Sequence, residues 1–247
     1  MSLIVLKNIK KEYGKNQVLF NDLSLEIEQG EFVGLIGKSG AGKTTLLNII
    51  GLITDISAGT ITIGNYKNLS MKSKNAMLLR RHTIGYLFQN YGLVEDESVL
   101  WNLKLALEYR KMSKGEKLRK INKYLKQFGL SDMLNKKIYQ LSGGEQQRVA
   151  IIKLILQGSK IILADEPTSG LDKDNEAIVM SLLKKLNESG VTIIIVTPFS
   201  FNFFRSDITI ASLSLSSPEV GSSANMILLP CKINLIIATR CCSPPLN

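Results

Sequence analysis

Apolar and polar positions set out a succession of short strands and longer helices over residues 1–197. Val5 and Leu6 fall in an opening strand, and Leu23, Leu25 and Ile27 alternate with polar neighbours in a second. Phe32–Ile36 is an unbroken apolar run that leads into a glycine-rich turn, and Lys43–Ile50 follows as a helix. Thr60–Ile63 and Ile84–Phe88 read as strands. From about Glu97 to Phe128 the pattern turns helical, rich in Lys and Leu. Glu145–Leu156 is a further helix, Ile161–Ala164 a buried strand, Lys173–Asn187 a helix and Val191–Val196 a buried strand. Apolar, β-branched strands alternating with helices predict an α/β fold, a mostly parallel sheet covered on both faces. The long helical stretch in the middle predicts a second lobe.

This periodicity fades after Thr197. Five of the six prolines, all three cysteines and nine serines fall in 198–247, against only five charged residues. The tail is therefore expected to pack poorly, and its apolar patches at Met226–Leu229 and Leu235–Ala238 are expected to promote aggregation. So abrupt a change suggests a frame change in the gene, which sequencing through codon 198 tests. Cys231, Cys241 and Cys242 fit no metal spacing and are read as reduced thiols.

The net charge of +10 is concentrated in residues 104–137, where eleven Lys or Arg meet three acids. The ordinary reading is a solvated helical face. Attraction to the anionic inner leaflet of a membrane is the alternative. Nucleic acid is not expected, because no basic-aromatic readout motif accompanies the charge. Charge at Lys7, Lys10, Lys11 and Glu12 argues against a secretion signal. No apolar stretch reaches the length of a membrane span, so a membrane role would come through a partner.

Gly37-Lys38-Ser39-Gly40-Ala41-Gly42-Lys43-Thr44 fits the P-loop pattern, between a predicted strand and a predicted helix. Its glycines let successive N–H groups curl round a phosphate, and the following helix adds its positive dipole end. Lys43 is expected to reach the β- and γ-phosphates and Thr44 to ligate Mg²⁺, with Thr45 completing the nucleotide-binding set. The Ile161–Ala164 strand ends in Asp165-Glu166, where α/β proteins bind ligands. Asp165 is expected to hold Mg²⁺ and Glu166 to act as general base on water. Alone, the two acids would read as a surface pair at a strand end. Leu141-Ser142-Gly143-Gly144-Glu145-Gln146-Gln147 opens another helix. Ser142 and Glu145 form a capping box, but capping does not call for the two glycines, which suit close approach of an anion. Two such different phosphate surfaces suggest one nucleotide held between two subunits.

These residues resemble the ATP-binding subunits of ABC transporters. Gly37–Thr44 is similar to Walker A, Leu141–Gln147 to the ABC signature and Ile161–Glu166 to Walker B. Tyr13 stands where the family has an aromatic that stacks on adenine, Gln89 where it has the Q-loop glutamine, and Ser169-Gly170-Leu171-Asp172 resembles its D-loop. The resemblance implies a P-loop NTPase fold of the ABC ATPase type over 1–197. It includes an antiparallel β subdomain and a helical subdomain at about 90–157. It implies ATP and Mg²⁺ as cofactors, and a head-to-tail pair of ATPase subunits, a homodimer in the simplest case, with an integral membrane permease. In that pair Ser142, Gly143, Gly144 and Glu145 would meet the partner's nucleotide, Asp172 would couple the two sites, and Gln89 would sense Mg²⁺ and the attacking water. The surface near Gln89 and Trp101 would receive the permease. Bland alternatives remain: Tyr13 a surface aromatic, Gln89 a loop residue, Trp101 a core residue.

Leu47–Leu52 and Tyr86–Leu103 are most similar to small stand-alone subunits that energise export of lipoproteins, macrolides or bacteriocins of the lactococcin 972 type, from the cytoplasmic face of the membrane. Soluble family members of translation or DNA repair would bring tandem domains or a coiled-coil insertion, absent here. One departure bears on turnover. The family places a histidine after the strand that follows Walker B, and here Pro198 follows Thr197. Proline neither donates a hydrogen bond nor carries a proton. The family's following helix and closing strand are not recognisable either. The alternative function is therefore an ATP-binding subunit with impaired hydrolysis.

Overall fold

A computed structural model describes residues 2–14, 17–37 and 39–197, together with the backbone of 227–231. Strands β1 (Ser2–Tyr13) and β2 (Gln17–Glu28) pair antiparallel, placing Leu6 opposite Leu25. The chain then enters a second sheet as β3 (Phe32–Ile36), turns through glycines and runs into helix α1 (Lys43–Ile50). β4 (Ala58–Ile63) returns to the free edge of β1, giving the order β2-β1-β4.

α2 (Lys74–His82) and β5 (Ile84–Leu87) follow, and then the helical lobe of α3 (Val99–Ala106), α4 (Lys114–Gln127) and α5 (Gly143–Gln157). β6 (Ile161–Asp165), α6 (Lys173–Glu188) and β7 (Thr192–Thr197) complete the α/β core. The second sheet has the order β5-β6-β7-β3-β8, where β8 is Ile227–Cys231. Its first four strands are parallel, and β8 runs antiparallel against β3.

The apolar strands bury both faces, as a parallel sheet requires. Along β6, Ile161 and Leu163 pack towards α1 and the antiparallel sheet, while Ile162 and Ala164 pack against α5 and the helical lobe. Alternation of period two thus feeds two cores. Each isoleucine or leucine buried this way contributes about 1.5–3 kcal/mol.

Three differences from the sequence reading have local causes. The helical stretch from Glu97 to Phe128 is two helices, because Ser98 caps α3 through Trp101 N–H and Ser113 caps α4 in a full capping box with Glu116. α2 was not foreseen. Ser73 caps it by accepting from Ala76 N–H, and Arg80, Arg81 and His82 sit in its last turn, where positive charge complements the helix dipole. β8 lies in the tail where no strand was expected. There an Ile-Leu-Leu run meets the outer edge of β3, whose backbone groups require partners, and an edge strand tolerates Pro230. Pro198, Leu235–Ala238 and Cys241–Cys242 lie outside the described residues. Among the described residues no helix is long and apolar enough to cross a membrane.

Candidate functional site

The glycine-rich turn between β3 and α1 borders a cleft of about 440 Å³. Gly37, Ser39, Gly40, Gly42, Lys43, Thr44 and Thr45 line it on one side, with Tyr13 and Glu166 also on its wall. Ala41 is buried beneath, and Lys38 lies outside the described residues. Gly40 and Gly42 have φ of +80° and +86°, which L side chains rarely adopt. A Cβ on Gly42 would also stand 2.9 Å from Phe20 Cζ. The turn therefore needs glycine for its backbone and for its packing.

α1 begins at Gly42 with no side-chain cap, whereas α5 is capped by Ser142 and Glu145. The first N–H groups of α1 thus face the cleft as ready donors for an anion. Lys43 is buried, and its ammonium donates to Gly37 O at 2.8 Å, so its charge is held against the turn.

Thr44 and Asp165 come from opposite sides of the sheet order and meet. The Thr44 hydroxyl donates to Asp165 Oδ1 at 3.1 Å. These are hard oxygen donors, a set that suits Mg²⁺ bound with the help of nucleotide phosphates. Burial pushes the Asp165 carboxyl above its ordinary pKa, Glu166 adds to the rise, and Thr44 and Lys43 oppose it. The next residue, Glu166, has φ of +46°, an uncommon conformation outside glycine, and its N–H donates to Val196 O at 3.1 Å. Such backbone strain costs about 1–3 kcal/mol and clusters at functional positions.

The other candidate residues do not line this cleft. Ser142 is exposed at the start of α5. Its N–H donates to Glu145 Oε2 at 2.8 Å and its hydroxyl to the same oxygen at 3.0 Å, so the capping box expected from sequence is formed. Gly143 is exposed beside Tyr91, and a Cβ on Gly144 would strike the Asn175 side chain. Asp172 caps α6, accepting from Asn175 N–H at 2.9 Å and Asn175 Nδ2 at 2.7 Å, which holds its carboxyl below the ordinary range. Arg148 donates to the same Asn175 at 3.1 Å. The signature-like helix and the Asp172 turn are thereby joined through one side chain. Gln147 donates to Pro167 O and ties α5 to the turn after Glu166.

Gln89 is exposed on the turn after β5. Leu87 pairs with Ala164, so that turn leaves the sheet at the same edge as Asp165. Lys153 on α5 donates to Gly92 O at 2.8 Å and fixes the loop from behind. Trp101 is 39% exposed and is not a core residue. His82 packs edge-on to Tyr109 just before β5 begins. That is the opposite end of the strands from Asp165, more than about 13 Å away along the strand direction.

Sequence reasoning missed Gln17 and Leu19, which also line the cleft, and Lys11, whose ammonium lies 4.7 Å from the Tyr13 ring centroid. Their only sequence signal is nearness to Tyr13.

The ABC transporter family model matches residues 20–169. The macrolide export ATP-binding/permease protein MacB of Campylobacter jejuni is 43% identical over 195 residues, which make up 79% of this chain and 30% of that protein. The chain therefore spans under a third of the length of this relative. An uncharacterised ABC transporter ATP-binding protein of Methanocaldococcus jannaschii is 40% identical over 198 residues, 79% of this chain and 88% of that protein. Among solved structures, the dimeric ATP-binding cassette MJ0796 in a post-hydrolysis state bound to ADP and Pi has a TM-score of 0.71 at 39% identity, covering 78% of this chain and 87% of that one. The cbiO1 protein of Clostridium perfringens, part of the cbiONQ transporter complex, has a TM-score of 0.70 at 27% identity, covering 80% of this chain and 78% of that one.

Proposed function

The chain belongs to the ABC transporter family as an ATP-binding subunit, and on that premise we propose that it hydrolyses ATP to energise export through a membrane permease. The observation that carries this reading is the convergence of Lys43, the Thr44–Asp165 pair and Glu166 on one glycine-lined turn. Tyr13 takes the adenine, and the turn and the first amides of α1 take the phosphates. Lys43 offsets charge on the β- and γ-phosphates. Thr44 and Asp165 hold Mg²⁺, which supplies charge neutralisation at the phosphate oxygens when bound. Glu166 accepts a proton from the attacking water, and Gln89 orients that water.

Ser142 and the glycines beside it contact the nucleotide of a second subunit, and Asp172 links the two sites. The dimeric state of the related cassette supports such a pair. The export of macrolides named for MacB supports an exporter, and a bacteriocin-like peptide or a lipoprotein is the substrate class proposed for this chain. The subunit works at the inner face of the cell membrane, against the permease, through the surface near Gln89 and Trp101.

A second reading is favoured by Pro198, which stands directly after β7 where the resemblance implies a histidine. In this reading the chain binds ATP and closes with its partner but turns over slowly. Loss of one contact to the transition state costs on the order of 3–4 kcal/mol, a rate effect of about 10²–10³.

Steady-state ATPase activity of the purified chain, beside Glu166→Gln and Pro198→His variants with nucleotide binding measured on all three, separates the two. Activity well above that of Glu166→Gln supports the hydrolytic subunit. ATP binding with activity at that background supports the impaired one, and rescue by Pro198→His assigns the defect to the side chain. Failure of the native chain to bind ATP would sink both.

A further inference from the structure

We propose that Lys11 is a positioning residue for base recognition: its ammonium backs the Tyr13 ring and holds that ring as the platform for the adenine. The inference rests on the ATP reading of the cleft and goes beyond it, because Lys11 belongs to no nucleotide-binding motif of the sequence.

Lys11 is 9% exposed, unusual for a lysine in β1 near a surface cleft. Its ammonium is held by Asp55 O at 2.8 Å, with Thr54 Oγ1 at 3.5 Å. Both acceptors lie in the turn after α1, so the lysine spans from the antiparallel sheet to the helix that carries Lys43 and Thr44. The ammonium also lies over the Tyr13 ring, 4.7 Å from its centroid, within the range of a cation–π contact. Tyr13 is 45% exposed and lines the cleft, and its hydroxyl lies 3.5 Å from Thr45 Oγ1. The ring is therefore backed by the cation on one face, with its hydroxyl near Thr45, while much of it stays open to a ligand.

Two physical consequences follow. A ring held in place before the ligand arrives loses little freedom when a base stacks on it. A cation behind the ring also draws π density towards its own side, which makes the opposite face a better partner for an electron-rich purine. Among the described residues the Lys11 ammonium is bound by Asp55 O and Thr54 Oγ1 and lies against Tyr13, so its contribution falls on the base and not on the triphosphate.

The experiment is calorimetric titration of the full chain with a non-hydrolysable ATP analogue and, separately, with inorganic tripolyphosphate, both with Mg²⁺. The variants are Lys11→Met, Lys11→Arg, Tyr13→Leu and the double variant Lys11→Met/Tyr13→Leu. Lys11→Met is expected to weaken the ATP analogue about three- to tenfold and to leave tripolyphosphate within twofold. Lys11→Arg is expected to recover most of the loss, and the double variant to bind no more weakly than Tyr13→Leu alone. ATP-analogue binding by Lys11→Met equal to the native chain would overturn the proposal. So would equal losses for analogue and tripolyphosphate, or losses that add fully in the double variant, since either would make Lys11 a support of the fold. A native chain that binds tripolyphosphate but gains nothing from the adenosine would overturn it while leaving the phosphate cradle standing. If the native chain binds neither ligand, the ATP reading itself fails.

Discussion

At the scale of single residues, Asp165 is caught between two demands. It must be ionised to hold a cation, yet its position at the end of β6 takes it partly out of water, and Glu166 beside it adds like charge. Its folded pKa thus lies above the ordinary value of 3.8. Folding then favours the protonated form. The ionised carboxylate lowers stability above the folded pKa, and that cost disappears as pH falls through the ordinary value. We predict that Asp165→Asn raises the melting temperature of the nucleotide-free chain at pH 7. The carboxyl is half exposed, so screening limits the gain to about 1–2 °C. The gap should narrow as pH is lowered towards 4, and the Mg²⁺-dependent part of nucleotide affinity should be lost. Differential scanning calorimetry across pH reads the first effect and titration with and without Mg²⁺ the second; a variant less stable than the native chain at neutral pH would refute the argument. The residue types at this site were legible in the sequence, because P-loop spacing and an acid pair after an apolar strand leave few other assignments. The strain at Glu166 and the burial of Lys11 were not, since both depend on neighbours far along the chain: Val196 for one, Asp55 for the other.

At the scale of elements, the connection from β5 to α3 shows where sequence pattern stops being informative. β3 and α1 were legible to the residue, because an apolar run, glycines and a helical run succeed one another within a few positions. The path of residues 88–98 was not, for it is set by side chains on helices that pack behind it. Asn102 of α3 is fully buried. Its Oδ1 accepts from Val94 N–H at 2.8 Å, and its Nδ2 donates to Val94 O and Ser98 O at 3.1 Å each. Lys153 adds its bond to Gly92 O, and burial pulls that ammonium below the ordinary lysine range. Tyr91 and Gly92 are both held at positive φ within this frame, at 63° and 60°. Asn102→Leu keeps the branched heavy-atom skeleton, adds some bulk and removes three hydrogen bonds at once. We predict a loss of about 2–3 kcal/mol, or roughly 5–10 °C in melting temperature. ATPase activity should fall further than ATP affinity does, because the loop that carries Gln89 is loosened while the cradle on α1 is untouched. Thermal melts and titrations on the same preparation check both; equal losses of affinity and turnover would mean that this loop does not act on the reaction separately.

At the scale of the whole molecule, the glycine-lined cleft and the signature-like start of α5 lie apart on the chain. Gly37–Thr45, Glu166 and Tyr13 share that cleft, and Ser142 lies outside it on the helical lobe. The start of α5 is fixed on its own chain: α5 is bound to Pro167 by Gln147 and to α6 through Arg148 and Asn175. Ser142 and Gly143 are exposed at the start of α5, outside the cleft, a placement open to a second copy. The sequence already hinted at a pair, since two unlike phosphate-type motifs in one chain suggest a nucleotide shared between two subunits, and the place of Ser142 outside the cleft agrees with that. We predict that the Glu166→Gln chain, slow to hydrolyse, shifts from 27.3 kDa to twice that mass by light scattering when Mg²⁺ and ATP are added. Adding Ser142→Arg should block the shift while leaving monomer ATP affinity within about twofold, as a bulky cation in place of the hydroxyl obstructs the contact across the pair and leaves the cleft alone. If the Ser142→Arg chain still doubles in mass, the pair is built on another surface and the exposed start of α5 has another use. If it loses ATP affinity by an order of magnitude as a monomer, Ser142 acts within its own chain, and the half-site argument fails with it.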